Sequence, residues 1–297
     1  MEFLQLHYFQ VVARHEHMTR AARELNVSQP SLSNSIQRLE QQLGLPLFVR
    51  HGRQIRLNSF GKAFLQRVDR AFLELDEGRR EIQDMAGLDR GVVSLAITLP
   101  NILPVLLRDF LKLRPDVRIM QRQAISPFEM RNDLESGETD FCISTRPVTG
   151  PDIEWLSLVD EEIFLSVPNG HRLAGRGSIR LIEAKDEPFI AMGSGYSFRQ
   201  ITDEFCRAAG FEPQIAFELE EIGAVQTLVE LGLGVTFTPV LTLKGFHRPA
   251  SVPLRIREPD CRRTIGLAWH KRRFISRAAV DFRKFAVDFF KQAGANP

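Results

Sequence analysis

The stretch from Thr19 to Leu43, TRAARELNVSQPSLSNSIQRLEQQL, constrains this chain more than any other. Its apolar residues Ala21, Ala22, Leu25, Val27, Leu32, Ile36, Leu39 and Leu43 recur mostly at steps of three and four, the spacing of helices with one buried face. The phase breaks at Asn26-Val27-Ser28. Asn26 suits a left-handed residue closing the first helix, and Ser28 suits an N-cap opening the second. Pro30 falls in the first turn of that second helix, where a missing N–H costs nothing. Two short helices joined by a tight turn predict a helix-turn-helix, whose second helix enters the DNA major groove.

The outward face of the second helix carries Gln29, Pro30, Ser31, Ser33, Asn34, Gln37 and Arg38, and Thr19 stands at the start of the stretch. Gln and Asn can bond adenine through two hydrogen bonds, Arg can bond guanine, and Ser suits a base or a phosphate. A merely solvated helix face usually mixes Glu with Lys. Here the first acidic residue is Glu40, beyond the reach of the groove. These residues are the candidate contacts to double-stranded DNA.

The longer run AARELNVSQPSLSNSIQRLEQQLGLPLFVRHGRQIRLNSFG resembles the N-terminal domain of LysR-type transcriptional regulators. The resemblance rests on the paired alanines, the VSQPSLS turn and helix start, the LExxLGxxLFxR spacing, and a basic hairpin leading to a glycine-containing helix start. It departs at Asn34, where many members carry Arg, which alters the base expected to be read there. The expected fold is α+β and multidomain: a winged helix-turn-helix, a long linker helix, and a two-lobed α/β effector domain like a periplasmic solute-binding protein.

Charge distribution agrees with this division. Residues 1–58 hold seven arginines, no lysine and four glutamates, a net +3, which leaves −1 for the rest of a chain whose total is +2. A basic head on a near-neutral body suits a DNA-binding head and a body with another task. Three scattered cysteines, Cys142, Cys206 and Cys261, follow no C-x-x-C spacing and argue against a disulfide scaffold or a zinc cluster. No apolar run approaches the ~20 residues of a spanning helix, so a cytoplasmic protein without a membrane segment is expected.

In the opening segment Leu4, Phe9, Val12 and Ala13 supply a face to pack beneath the helix-turn-helix. His7, His15 and His17 lie close in sequence but lack the ligand spacing of a metal site, and no metal or cofactor is expected. Gly44 suits a left-handed cap after Leu43. Residues 47–50 and 54–57 read as two short strands around the turn His51-Gly52-Arg53, the wing. Arg50 and Arg53 are the foremost candidates for phosphate or minor-groove contacts, with Arg56 beside them.

Asn58 can cap a helix running to about residue 86. Phe64, Val68, Ala71, Leu75, Gly78, Ile82 and Met85 follow an alternating four-three spacing, a heptad seam that calls for a partner helix unless the helix packs on its own domain. The resemblance implies pairing with a second copy, hence a homodimer or homotetramer reading an operator with two-fold symmetry.

From Val92 onward, short β-rich runs alternate with helical ones, which predicts βαβ units on a parallel sheet. The expected divisions are 1–58 for the DNA-binding domain, 59–87 for the linker helix and 88–297 for the effector domain. The resemblance places lobe one at about 91–165 and 265–297, and lobe two at about 166–264. Ligands in such folds bind beyond the carboxyl ends of strands, near helix N-termini that favour anions. That rule selects Thr98 and Asn101, Ser126, Arg146, and the glycine-rich turn carrying Ser197, Phe198 and Arg199. Arg146 and Arg199 adjoin these turns, and a guanidinium suits a carboxylate, so a small carboxylate effector is expected. GYSFRQ followed by AGF is similar to the branch of the family controlling glutamate synthesis, which points to 2-oxoglutarate or glutamate.

The leading function is a ligand-responsive transcription regulator. The alternatives are an enzyme fused to a DNA-binding head and a DNA architectural protein. No G-x-S-x-G, H-E-x-x-H, Walker or dinucleotide motif supports catalysis, so no catalytic residues are assigned.

Overall fold

The computed structural model describes residues 1–51, 54–86, 91–99, 101–124, 126–243 and 250–295, the side chains at 50, 51, 54, 123, 222 and 295 excepted. It divides into two compact units, residues 1–82 and 83–297.

The first unit runs α1 (Phe3–His15), α2 (Met18–Glu24), α3 (Gln29–Leu43), β1 (Phe48–His51), β2 (Gln54–Leu57) and most of α4 (Ser59–Met85). Asn26 takes a left-handed φ of 53°, and the Ser28 hydroxyl accepts the Ser31 N–H at 3.3 Å. Gly44, at φ 71°, ends α3. The apolar stripe closes on Phe9, Ala21, Ala22, Leu32, Ile36, Leu39, Leu47 and Val68, all buried. Leu4 differs from expectation: only the segment Phe9–Ala13 of α1 supplies buried residues, so Leu4 in the first turn is exposed and Val11 is buried.

Two carboxylates tether the antiparallel β1–β2 hairpin. Glu16 accepts the Leu57 N–H at 3.1 Å, and Glu40 accepts those of Leu47 at 2.7 Å and Phe48 at 3.2 Å. Asn58 opens α4 by accepting the Gly61 N–H at 2.8 Å. A Cβ on Gly61 would lie 2.1 Å from the Leu47 carbonyl oxygen, so only glycine permits this approach. The heptad seam of α4 is divided. Phe64 and Val68 pack into the first unit's own core, whereas Leu75, Ile82 and Met85 are exposed at 54%, 69% and 76%.

The second unit comprises β3 (Val92–Ile97), α5 (Leu103–Leu113), β4 (Arg118–Gln123), α6 (Pro127–Ser136), β5 (Phe141–Ser144), β6 (Ile153–Val167), β7 (Ser178–Arg180) and β8 (Pro188–Met192). It continues through α7 (Ser197–Ala208), β9 (Gln214–Leu219), α8 (Ile222–Glu230), β10 (Thr236–Pro239), α9 (Val240–Leu243), β11 (Val252–Glu258), β12 (Arg262–His270) and α10 (Arg277–Ala295). The main sheet has the order β4-β3-β5-β12-β6-β11-β7, with β10 also on β6, and β8 pairs with β9.

The all-parallel expectation needs correction. β3 is parallel to β4 and β5, and β8 to β9, where a helix carries the chain back across the sheet. β12 runs antiparallel to β5 and β6, and β10 and β11 run antiparallel to β6, so the sheet is mixed. The unit's two largest apolar cores among the described residues lie in different parts of it. One gathers Leu95, Phe110, Phe141, Leu267, Phe282 and Phe290; the other gathers Ile163, Leu165, Val167, Phe189, Phe237 and Leu254. The fifteen-residue β6 serves both, with Val159 packed on the first core and Ile163 in the second. β6 and its long partner β12 therefore join two α/β lobes.

Candidate functional site

The first unit presents a surface built by α3. Burial of Leu32, Ile36 and Leu39 turns the helix so that Gln29, Pro30, Ser31, Asn34, Gln37 and Arg38 are exposed, with Thr19 on α2 exposed as well. Ser33 is half-buried, closer to the core than its sequence position suggests. The side chains of Gln29, Ser31, Asn34, Gln37 and Arg38 have no hydrogen-bond partner among the described residues, so their donors and acceptors face outward unspent. Arg56 on β2 is exposed. Arg53 lies outside the described residues, as does the side chain of Arg50. The early histidines serve local structure: His17 caps α2 by accepting the Arg20 N–H, and His15 pairs with Glu24.

The second unit holds a cavity of about 610 Å³ between its two lobes. Thr98, Leu99 and Asn101 line it from the turn after β3, Tyr196, Ser197, Phe198 and Arg199 from the start of α7, and Gln226 from α8. Five of the seven sequence-selected residues thus come together: Thr98, Asn101, Ser197, Phe198 and Arg199. Ser126 and Arg146 are not among the lining residues. Ser126 caps α6 through the Glu129 N–H, and Arg146 donates to Glu204 of α7 at 2.5 Å.

Three features define the chemistry of the cavity. Tyr196, which precedes α7, places no side-chain acceptor on the first-turn N–H groups of that helix. The Thr98 hydroxyl and the Gln226 side-chain oxygen are buried without a hydrogen-bond partner among the described residues. Arg199 donates to Asp203 at 2.8 Å, to Glu218 at 3.1 Å and to the Met192 carbonyl at 3.1 Å. Burial by itself would lower the Arg199 pKa, and the bonds to Asp203 and Glu218 more than reverse this, leaving the guanidinium firmly charged.

A second cation, Arg263 of β12, also lines the cavity and pairs with buried Glu161 of β6. Sequence reasoning passes over this pair because its members stand 102 residues apart and nothing local matches one to the other. The local signal does not single them out, since Glu161 stands between Asp160 and Glu162 and Arg263 beside Arg262. The three cysteines are buried, and burial pushes each thiol up to about 12. Among the described residues no helix is long and apolar enough to cross a membrane.

Both parts of the chain are similar to known proteins. The family model described as bacterial regulatory helix-turn-helix protein, lysR family, matches residues 3–62, and that described as LysR substrate binding domain matches residues 86–291. The uncharacterized HTH-type transcriptional regulator YybE of Bacillus subtilis is 40% identical, covering 98% of this chain and 100% of its own length. The transcriptional dual regulator GltC of the same organism is 31% identical over 98% of each chain. Among solved structures, CbnR, a LysR family transcriptional regulator, matches with a TM-score of 0.69 at 25% identity, covering 98% of this chain and 99% of that one. CbnR has also been solved in complex with its target DNA.

Proposed function

The chain belongs to the LysR family of transcriptional regulators, and from that membership we propose that a small organic carboxylate in the interlobe cavity controls how it engages DNA. It is a DNA-binding regulator with an effector-binding domain, and its relatives are regulators rather than enzymes. The observation that carries the carboxylate reading is the start of α7. The N-terminus of α7, to which Tyr196 gives no side-chain cap, adjoins the cavity, and Arg199 and Arg263 both line it. Helix N–H groups and guanidinium groups both favour a carboxylate oxygen.

In this reading residues 1–58 form the DNA-binding head, 59–87 the linker helix and 88–297 the effector domain of a cytoplasmic protein. Gln29, Asn34, Gln37 and Arg38 read base edges, while Thr19, Ser31, Ser33, Arg50 and Arg53 position the head on phosphates and Pro30 makes apolar contact at the helix start. The exposed half of the α4 seam, Leu75 to Met85, supports pairing with a second copy, as dimer or tetramer, over an operator with two-fold symmetry. Thr98, Asn101, Ser197, Phe198 and Arg199 surround the effector, and Ser126 and Arg146 act from outside the lining. A ligand preferring one lobe arrangement shifts the population toward it, and with it the spacing of the paired heads.

Thermal unfolding of the full chain against acetate, succinate, 2-oxoglutarate, L-glutamate and benzoate tests the reading. An acid that binds only the folded protein raises its stability by about 2.7 kcal/mol at a hundred times its dissociation constant. The same acid is expected to change the operator footprint. An acid that binds and leaves footprint and DNA bend unchanged rules out the coupling.

A further inference from the structure

The two strands joining the lobes carry the buried ion pair that regulation of the cavity has not yet used. Glu161 on β6 and Arg263 on β12 are direct cross-strand neighbours. The Arg263 Nε and Nη2 atoms each lie 2.7 Å from Glu161 Oε2, and the side chains are 6% and 0% exposed. Glu161 Oε1 accepts the Leu241 backbone N–H at 2.8 Å, and Leu241 packs on the first lobe's core. The Arg263 guanidinium also sits 5.0 Å from the ring centre of Phe198, in the first turn of α7 in the second lobe. One charge pair therefore touches both lobes and both connecting strands.

A buried ion pair is poor value as a source of stability, because solvation lost by two charges offsets their attraction. Its donor inventory suggests another role. Glu161 occupies the guanidinium edge formed by Nε and Nη2, while Nη1 has no hydrogen-bond partner among the described residues. A guanidinium has two edges able to take a carboxylate in parallel. The other cations near the cavity differ. Arg199 gives Nε to Asp203 and Nη1 to Glu218 and the Met192 carbonyl, so neither of its two-nitrogen edges is open, and Arg146, which serves Glu204, does not line the cavity.

We propose that Arg263 is the specificity-determining cation of the cavity, taking the effector carboxylate on its Nη1 edge, and that Glu161 is the internal counter-ion against which that carboxylate binds. The assignment rests on the carboxylate reading above. A carboxylate held there lies between the N–H groups of α7 and a hinge strand, so the hinge senses occupancy directly.

The test is isothermal titration of the full-length wild type, Glu161→Gln, Arg263→Lys and Arg263→Gln with the five acids named above. Removing the counter-ion charge is expected to tighten binding of the responding acid about tenfold in Glu161→Gln. Arg263→Lys, which keeps the charge but lacks the second edge, is expected to weaken it about tenfold or more, and Arg263→Gln further. A cooperative thermal unfolding transition of the full chain reports folding of each variant, and nonspecific DNA affinity should stay within twofold. A merely structural pair predicts weaker binding in every variant, Glu161→Gln included, and that result overturns the proposal. Equal affinity in wild type and Arg263→Lys overturns it too while leaving the carboxylate reading intact. No binding of any acid to wild type or Glu161→Gln overturns both.

Discussion

Glu40 Oε1 lies 2.7 Å from the backbone nitrogen of Leu47, and through this bond the recognition helix holds the first wing strand. The same oxygen takes the Phe48 N–H. Glu40, the only acid of α3, is thus turned to the hairpin rather than to the exposed face that carries Gln29, Asn34 and Arg38. Replacing it with Ala leaves two backbone donors without their partner, at a cost of about 1–3 kcal/mol. We expect Glu40→Ala to lower the urea midpoint and to weaken operator binding although it touches no DNA. Unchanged affinity in a mobility-shift titration would detach the wing from recognition.

Base readout and phosphate contact separate by salt. Arg38→Ala is expected to cost about 1–3 kcal/mol on the cognate operator and little on random DNA. Arg50→Ala should weaken both alike and flatten the slope of log affinity against log salt by about 0.9. Titration of each variant on both DNAs at four salt concentrations checks this; identical salt slopes for wild type and Arg50→Ala would remove Arg50 from the backbone contacts.

Acid sensitivity of the second unit should follow Glu187. Burial by itself would raise its pKa, but hydrogen bonds from His171 and Arg172 outweigh it and hold the carboxyl below its ordinary value of 4.5. A depressed carboxyl contributes stability above its unfolded pKa and loses it as pH falls through the folded one. Urea midpoints are therefore expected to drop below about pH 4.5, and Glu187→Gln should have a lower midpoint at pH 7 with a shallower acid decline. An unaltered acid limb in that variant would place the sensitivity elsewhere.

The thiols make a simpler case. With Cys142, Cys206 and Cys261 buried and their pKa values near 12, almost no thiolate exists at pH 7. Labelling by a disulfide reagent should be slow in the native protein and count three thiols in denaturant. Fast native labelling of any one would contradict its burial.

Much of the first unit was legible because its determinants are local. Asn26, Ser28, Pro30, Gly44 and Asn58 mark helix ends through their own backbone preferences or hydrogen bonds to residues a few positions away. The three-four apolar stripe then orients α3 without reference to the rest of the chain. The α4 seam shows where periodicity stops being sufficient: one spacing continues from Phe64 to Met85, yet the first part meets the unit's own core and the remainder faces outward. A repeat specifies a face but not what covers it.

The cavity divides in the same way. Thr98, Asn101, Ser197, Phe198 and Arg199 were accessible to the rule that ligands gather at strand ends and helix starts, since both are read along the chain. Ser126 obeys the same rule and caps its own helix outside the lining, because that rule cannot say which turns converge. Arg263 and Glu161 obey no local rule. Sequence alone determined the head, the alternation of elements in the body and most of the cavity's turns, through torsional preference and hydrophobic period. Only the tertiary structure decided that β6 and β12 run antiparallel between two lobes and bring two charges 102 residues apart to 2.7 Å. Long-range pairing is set by how whole faces pack, and that information belongs to no single stretch of chain.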